Sequence, residues 1–255
     1  MWVGYLITSE DRLISGEFSK LLNSLPQSDV RLVVGCRGFD PSRLLPEVKD
    51  GLQLPLDTSL SDARNNLLDS FPYEDNDLVF FPDDDCWLPS SALDVATHWL
   101  QSSDFVIGVV DVEGGESASL GEVYGIHEHL ALKKAASAAI FVRGKAMSGF
   151  RFSTSLGLGS KFKAGEDLDL ILYMINQGKS GLWSADLRIG HPKKNRSMEY
   201  FPGSIAALSM NSRKRPAFLL LALRRWIHGF VYFVERRLSG KSLLLGFQAF
   251  FVKRH

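Results

Sequence analysis

Short apolar, partly β-branched runs alternate with helix-periodic segments through most of this chain, and that alternation commits it to helices packed on a mainly parallel sheet. Residues 2–8, Trp-Val-Gly-Tyr-Leu-Ile-Thr, read as a buried strand that runs through polar Ser9, Glu10 and Asp11 into a helix ending near Leu25, before Pro26. Strands are expected at 30–34, briefly at 52–56, at 77–81 and at 104–110, with helices at 61–70 and 90–101 between them. Residues 111–130 are Gly- and acid-rich and read as a loop over the sheet edge. Further strands are expected at 135–142 and 183–189, a long irregular stretch with five glycines at 144–165, and a helix at 166–177 closed by Gly178.

Composition narrows the class. The 255 residues are enough to bury a substantial core, and 45% hydrophobic with 23% charged residues is the balance of a folded globular enzyme rather than a disordered chain. No repeat period is present. Lys plus Arg and Asp plus Glu both total 29, which argues against a nucleic-acid binder coated in positive charge. The zero is uneven, however. Residues 212–255 hold ten Lys or Arg against one acid, Glu235, leaving 19 bases against 28 acids in the rest. Two cysteines, Cys36 and Cys86, are too few for a disulfide framework, and nothing in the first residues resembles a leader, so a cytoplasmic location is expected.

The chemistry is concentrated where the 77–81 strand ends. Pro82 stops its ladder, and Asp83, Asp84 and Asp85 follow at the edge where open α/β sheets bind ligands. Three adjacent carboxylates repel one another unless a cation or a solvated turn relieves them. Hard oxygen ligands suit Mg2+ or Mn2+, which are commonly held by one or two carboxylates together with substrate phosphates. A later pair, Glu166 and Asp167, opens a helix, where backbone N–H groups favour an ionised carboxylate and make it a weak base. Acids are favoured at any helix start, so the pair has a purely structural reading too. His191 closes the last strand. His127, Glu128 and His129 lie on a loop without further ligands and read weakly as a metal site.

Ser61-Asp62-Ala63-Arg64-Asn65-Asn66, then Asp77 to Pro89, then Gly165-Glu166-Asp167-Leu168-Asp169-Leu170, then His191-Pro192 fall in the order and spacing of the family 2 glycosyltransferases, which this chain resembles over residues 2–196. The resemblance implies a GT-A type α/β fold, a mixed, mainly parallel Rossmann-like sheet flanked by helices, and a metal-dependent enzyme that inverts the anomeric carbon of a nucleotide-sugar. It implies a nucleotide-binding half over 1–103 and an acceptor half over 104–196. By the same resemblance Arg64 lies near the diphosphate, Thr8 floors the nucleotide pocket, Asp85 is the direct metal ligand, Asp83 lies nearer the ribose, and Asp84 intervenes. Asp167 then takes the acceptor proton beside Glu166, and His191 serves metal or diphosphate. Where the family usually has an Asp straight after its second strand, this chain has Val34-Gly35-Cys36, with Asp40 matching a later acid. Arg12 reads equally as a nucleotide contact or a sheet-edge cap. Lys193, Lys194 and Arg196 either close over phosphate or solvate a loop. Trp87, Tyr124 and Trp183 offer flat faces to a sugar or pack in the core, and residues 149–165, with Phe150, Phe152 and Leu158, resemble the acceptor-side loop.

Residues 197–255 differ in kind and read as a basic amphipathic helical tail. Ala217–Val234 is long and apolar enough to raise a membrane span, but Arg224 and Arg225 at its middle would each cost about 2.5–3.5 kcal/mol there. An interfacial helix fits better, with Arg213, Lys214, Arg215, Arg224, Arg225, Arg236, Arg237 and Lys241 at headgroups and Phe218, Leu221, Trp226, Phe230 and Phe233 below them. The expectation is an enzyme on the inner face of an anionic membrane, taking a polyprenol-linked saccharide or other glycan as acceptor in cell-surface polysaccharide synthesis. A helix pair packed on the body and a dimer seam are the other readings of the tail. For the whole chain, the alternatives are a catalytically silent partner in a glycan assembly complex and a nucleotidyltransferase. Thr8-Ser9-Glu10-Asp11 lacks the Gly-rich phosphate loop of the latter.

Overall fold

The computed structural model of the chain describes residues 1–14, 16–26, 29–44, 48–112, 121–192 and 200–252. Eight strands form one mixed sheet in the order β3-β2-β1-β4-β7-β5-β8-β6. They are β1 (Trp2–Ser9), β2 (Val30–Arg37), β3 (Asp50–Leu54), β4 (Leu78–Phe80), β5 (Phe105–Val112), β6 (Val123–Gly125), β7 (Ile140–Arg143) and β8 (Gly181–His191). The β3-β2-β1-β4 half is parallel throughout, whereas β7 runs antiparallel to both β4 and β5, and β6 antiparallel to β8. The expected α/β architecture is what forms. β1 shows why: seven consecutive residues are buried, as a central strand covered on both faces requires.

Helices cover both faces. One side packs α3 (Leu60–Ser70) and α6 (Glu166–Asn176) around Tyr5, Val33, Phe81 and Trp183. The other packs α2 (Glu17–Ser24) and α4 (Ala92–Leu100) around Trp2, Leu6, Phe80 and Phe141. Ser59 caps α3, accepting the Asp62 N–H at 3.2 Å while its hydroxyl donates to the Asp62 carboxylate at 2.6 Å, a reciprocal cap whose loss typically costs about 1 kcal/mol.

Three expected elements differ. The single helix after β1 is two, α1 (Glu10–Ile14) and α2, broken at Gly16, whose φ of 76° no helix accommodates. Residues 111–130 hold more than loop: β6 adds to the sheet edge and α5 (Glu128–Lys134) follows. The expected strand at 135–142 begins as a 3-10 turn, Ser137–Ala139, and extends only from Ile140. These are short segments whose state is decided by the strand they pair with, not by their own period.

The end of the chain divides in two. α7 (Phe201–Asn211) is buried almost throughout and lies against α6, so the body continues past residue 196. Gly165 and Gly203 are the reason the two approach so closely: a Cβ on either would strike the other segment's backbone carbonyl, and Gly165 holds a φ of 101°. α8 (Ala217–Val234) and α9 (Gly240–Gln248) lie outside it with much of their surface exposed.

Gly190 is a second position that admits no side chain. It forms an antiparallel bridge with Trp87, and a Cβ would fall inside the indole ring. Gly190→Ala is therefore expected to lower stability by about 1–3 kcal/mol in urea unfolding. An unchanged midpoint would show that Trp87 does not hold this crossing.

Candidate active site

Strand register builds the site. In the parallel pairing of β1 with β4, Gly4 stands opposite Phe80, the last residue of β4, so Thr8, four residues further along β1, meets Asp84 in the turn that follows β4. The Thr8 hydroxyl donates to Asp84 Oδ2 at 2.9 Å. The turn Asp83–Cys86 is closed by the Cys86 N–H on the Asp83 carbonyl at 3.2 Å, and the chain then bridges from Trp87 to Gly190. That bridge brings His191 across from the acids. His191 Nε2 lies 3.2 Å from Asp85 Oδ1 and 3.5 Å from Asp83 Oδ2.

The acids are therefore not equivalent. Asp85 is buried, Asp83 is about one-third exposed, and Arg12 Nη2 reaches Asp85 Oδ2 at 3.7 Å. Burial raises the Asp84 carboxyl above the usual range, partly offset by the Thr8 hydroxyl. The bonds to Asp83 and then Asp85 push the His191 imidazole up to about 9, so without a metal a proton on His191 balances the two acids. His191 Nδ1 faces the Pro192 carbonyl at 2.7 Å, which fixes the ring with Nε2 toward the carboxylates, the support a metal-binding imidazole needs.

Ligand atoms of Asp83, Asp85 and His191 all lie within 4.8 Å of one another. Two carboxylates and an oriented imidazole, on an edge where phosphate oxygens complete the shell, suit a divalent cation of the Mg2+ or Mn2+ kind. His127 and His129 meet edge to face at 6.1 Å at the start of α5, away from any third ligand among the described residues. Lys193, Lys194 and Arg196 lie outside the described residues.

A second cluster opens α6. Glu166 and Asp167 occupy its first turn, after Gly165. Arg64 of α3 is 2% exposed and packs against the edge-to-face pair of Phe81 and Phe152, 5.5 and 5.2 Å from their rings, with Nη1 3.6 Å from Asp167 Oδ1. Its nearest charged partner is thus the carboxylate of α6. Ser137, which nothing in its run of small residues marks out, lies near enough to Asp167 for its backbone N–H and hydroxyl to favour the ionised carboxylate. Burial nevertheless raises the Asp167 carboxyl above its ordinary value, with Arg64 and Ser137 pulling it back. Burial thus acts against the helix-start setting that favours an ionised carboxylate. Asp167 keeps 23% of its side-chain surface open, enough for a hydroxyl to reach it.

The two clusters lie near each other. Asp83 is close enough for its charge to raise both Asp167 and Glu166, and Phe81, two residues before Asp83, packs against Arg64. Asn65 completes the wall, exchanging two 2.9 Å bonds with the Phe152 backbone and so pinning the 149–165 segment to α3. Asp169 points elsewhere, accepting from Asn211 of α7 at 2.7 Å. Asp40 serves its own turn, accepting the Ser42 N–H at 2.8 Å. Of the three aromatic candidates, Trp87 is capped by Lys20 at 3.3 Å and Trp183 is buried under Tyr124 and Lys134, which leaves Tyr124 exposed.

The eight-stranded mixed sheet and its flanking helices have the fold of the GT-A glycosyltransferases. The solved structures agree. Residues 1–349 of S. aureus TarS match with a TM-score of 0.61 and 15% identity over 82% of this chain and 64% of that one. The same fragment in complex with UDP-GlcNAc gives 0.63 and 13% over 84% and 66%. GalNAc-T7 with UDP, GalNAc and Mn2+ gives 0.57 and 11% over 82% and 48%. The chain thus spans about two thirds or less of each. No protein-family model and no curated protein matches the sequence.

Glu166 carries a measurable consequence. Burial first, and the Asp167 charge next, push its carboxyl up to about 8, and Oε2 has no hydrogen-bond partner. Because the folded value lies above the ordinary 4.5, the stability associated with it is full below pH 4.5 and is lost as pH rises through about 8. Glu166→Gln, neutral at every pH, should flatten that loss in urea unfolding series. Parallel pH profiles for the two proteins would mean that Glu166 is ionised in the fold.

Proposed function

We propose that this chain is an inverting glycosyltransferase. It moves a sugar from a nucleoside-diphosphate donor to a hydroxyl of a glycan acceptor, lipid-linked and destined for cell-surface polysaccharide. The observation that supports the reading is proximity: an acid-imidazole cluster able to hold a cation lies near enough to the α6 carboxylates for the Asp83 charge to act on Asp167. The nucleotide-sugar complex of TarS and the UDP and Mn2+ of GalNAc-T7 lend weight through a common fold.

Asp83, Asp85 and His191 would hold a divalent cation, which when bound neutralises charge building on the departing diphosphate. Thr8 and Asp84 form the pocket floor between β1 and β4. The acceptor oxygen bonds to the anomeric carbon from the face opposite the diphosphate, the bond to the diphosphate oxygen breaks, and the hydroxyl proton passes to Asp167. A carboxyl already raised by burial is a better proton acceptor at neutral pH than an exposed one, and hydrogen-bond reach governs the transfer. Arg64 pairs with that carboxylate, and both Arg64 and Ser137 favour its ionised form between turnovers. Its burial makes Arg64 a positioning residue for Asp167 rather than a free clamp on phosphate.

Two substitutions separate the roles. Asp167→Asn should retain donor binding and lose transfer by a factor of about 100 or more, measured as nucleoside diphosphate released with acceptor present. Asp85→Ala should weaken donor binding in a thermal-shift titration with Mn2+ and leave metal-free behaviour unchanged. Full transfer in the first would remove the base; full metal-dependent donor affinity in the second would remove the cation site. Failure of every nucleotide-sugar to stabilise the parent protein would favour a silent partner of an assembly complex.

A further inference from the structure

α8 is docked and apolar at once. Phe218, Leu221, Ala222 and Gly229 are buried, a Cβ on Gly229 would enter the Phe201 ring, and the Arg225 guanidinium packs 5.5 Å from that ring while donating to the Ser204 hydroxyl. One face of α8 is therefore committed to α7. The opposite face is apolar as well: Leu220, Leu223, Ile227, Phe230, Val231 and Val234 follow at three- and four-residue steps and are 46–69% exposed. This changes the expected lipid-facing set. Phe218 and Leu221 point into the body, and the exposed stripe lies half a turn away.

The stripe continues into α9. Trp226 of α8 donates to the Leu243 carbonyl at 3.3 Å and its ring lies 5.9 Å from Phe247. Leu244, Phe247 and Phe251 then form an exposed row, with 59, 48 and 71% of their surfaces open. An apolar surface of this extent on a folded chain marks a contact with something else.

Charge identifies the occupant. Arg213, Lys214 and Arg215 stand before α8, Arg236 and Arg237 after it, and Lys241 in the first turn of α9, all exposed, while Glu235 is the one acid among residues 200–255. We propose that the exposed faces of α8 and α9 form one platform that lies flat on an anionic lipid bilayer. A spanning α8 would carry the exposed Arg224 near the middle of the bilayer, at a cost of about 2.5–3.5 kcal/mol. Lying in the interface, the apolar rows enter about 5–10 Å while the bases stay at headgroup level. A second copy is a poorer fit, since a two-fold seam sets each basic margin toward its own image. The inference does not use the transferase reading, and it supplies that reading with a reason for a lipid-linked acceptor.

The test is flotation of the full chain with phosphatidylcholine vesicles that contain or lack phosphatidylglycerol. The parent protein should float with the anionic vesicles and far less with phosphatidylcholine alone. Leu220→Asp with Ile227→Asp, both at exposed positions, should stay in the soluble fraction while keeping the parent's far-ultraviolet circular dichroism. Arg224→Ala and Lys241→Ala should each weaken partitioning about five-fold. Equal flotation on both vesicle types, or undiminished flotation of the double Asp variant, would overturn the proposal. So would a lipid-free parent protein that elutes as a dimer and becomes monomeric in that variant, which would assign the face to a second copy.

Discussion

Three neighbouring carboxylates in one turn are tolerable only because each meets a partner brought from elsewhere in the fold. Asp84 is taken by the Thr8 hydroxyl, while Asp83 and Asp85 share the His191 imidazole and Asp85 also meets Arg12. Each partner arrives from a different strand or helix, so mutual repulsion among the acids is relieved only when β1, β4 and β8 stand in their native register. The cost of separating these charges from their partners thereby ties the site to the sheet. A cation would replace the proton on His191 without altering that logic.

The second cluster follows the same principle in a drier setting. Arg64 is buried against two phenyl rings, where a lone guanidinium would be costly, and Asp167 offsets its charge. The helix that carries Asp167 is in turn held by α7 through the Gly165 and Gly203 approach. A segment that reads as part of a tail thus supports the carboxylate that lies near the cation cluster. Burial of the exposed helices α8 and α9 on the far side of α7 is partial, which leaves the chain with a folded body and one apolar, base-rimmed flank.

Much of this is legible in the sequence. The apolar runs at 2–8, 30–34, 77–81 and 104–110 become β1, β2, β4 and β5 because a strand buried on both faces must be apolar along its length. The acid triplet, Glu166, Asp167 and His191 stand out because their types are costly to bury without a purpose. Ser137 gives no such signal: a serine among alanines is ordinary, and its importance comes from a long-range contact. Arg64 is legible as a functional residue but not in its environment, since neither Phe81 nor Phe152 neighbours it in sequence.

The sequence by itself determined which residues could carry charge chemistry and which segments had to be interior, because residue type and period are local properties. Tertiary structure decided the partners: that Thr8 meets Asp84, that His191 crosses to Asp85, that Arg64 turns to Asp167, and that Phe218 faces inward while Ile227 faces out. Those outcomes depend on strand register and helix rotation, which are settled by contacts between residues dozens of positions apart. A helix apolar on nearly every side shows the limit plainly, for no pattern within α8 states which of its faces the body will claim.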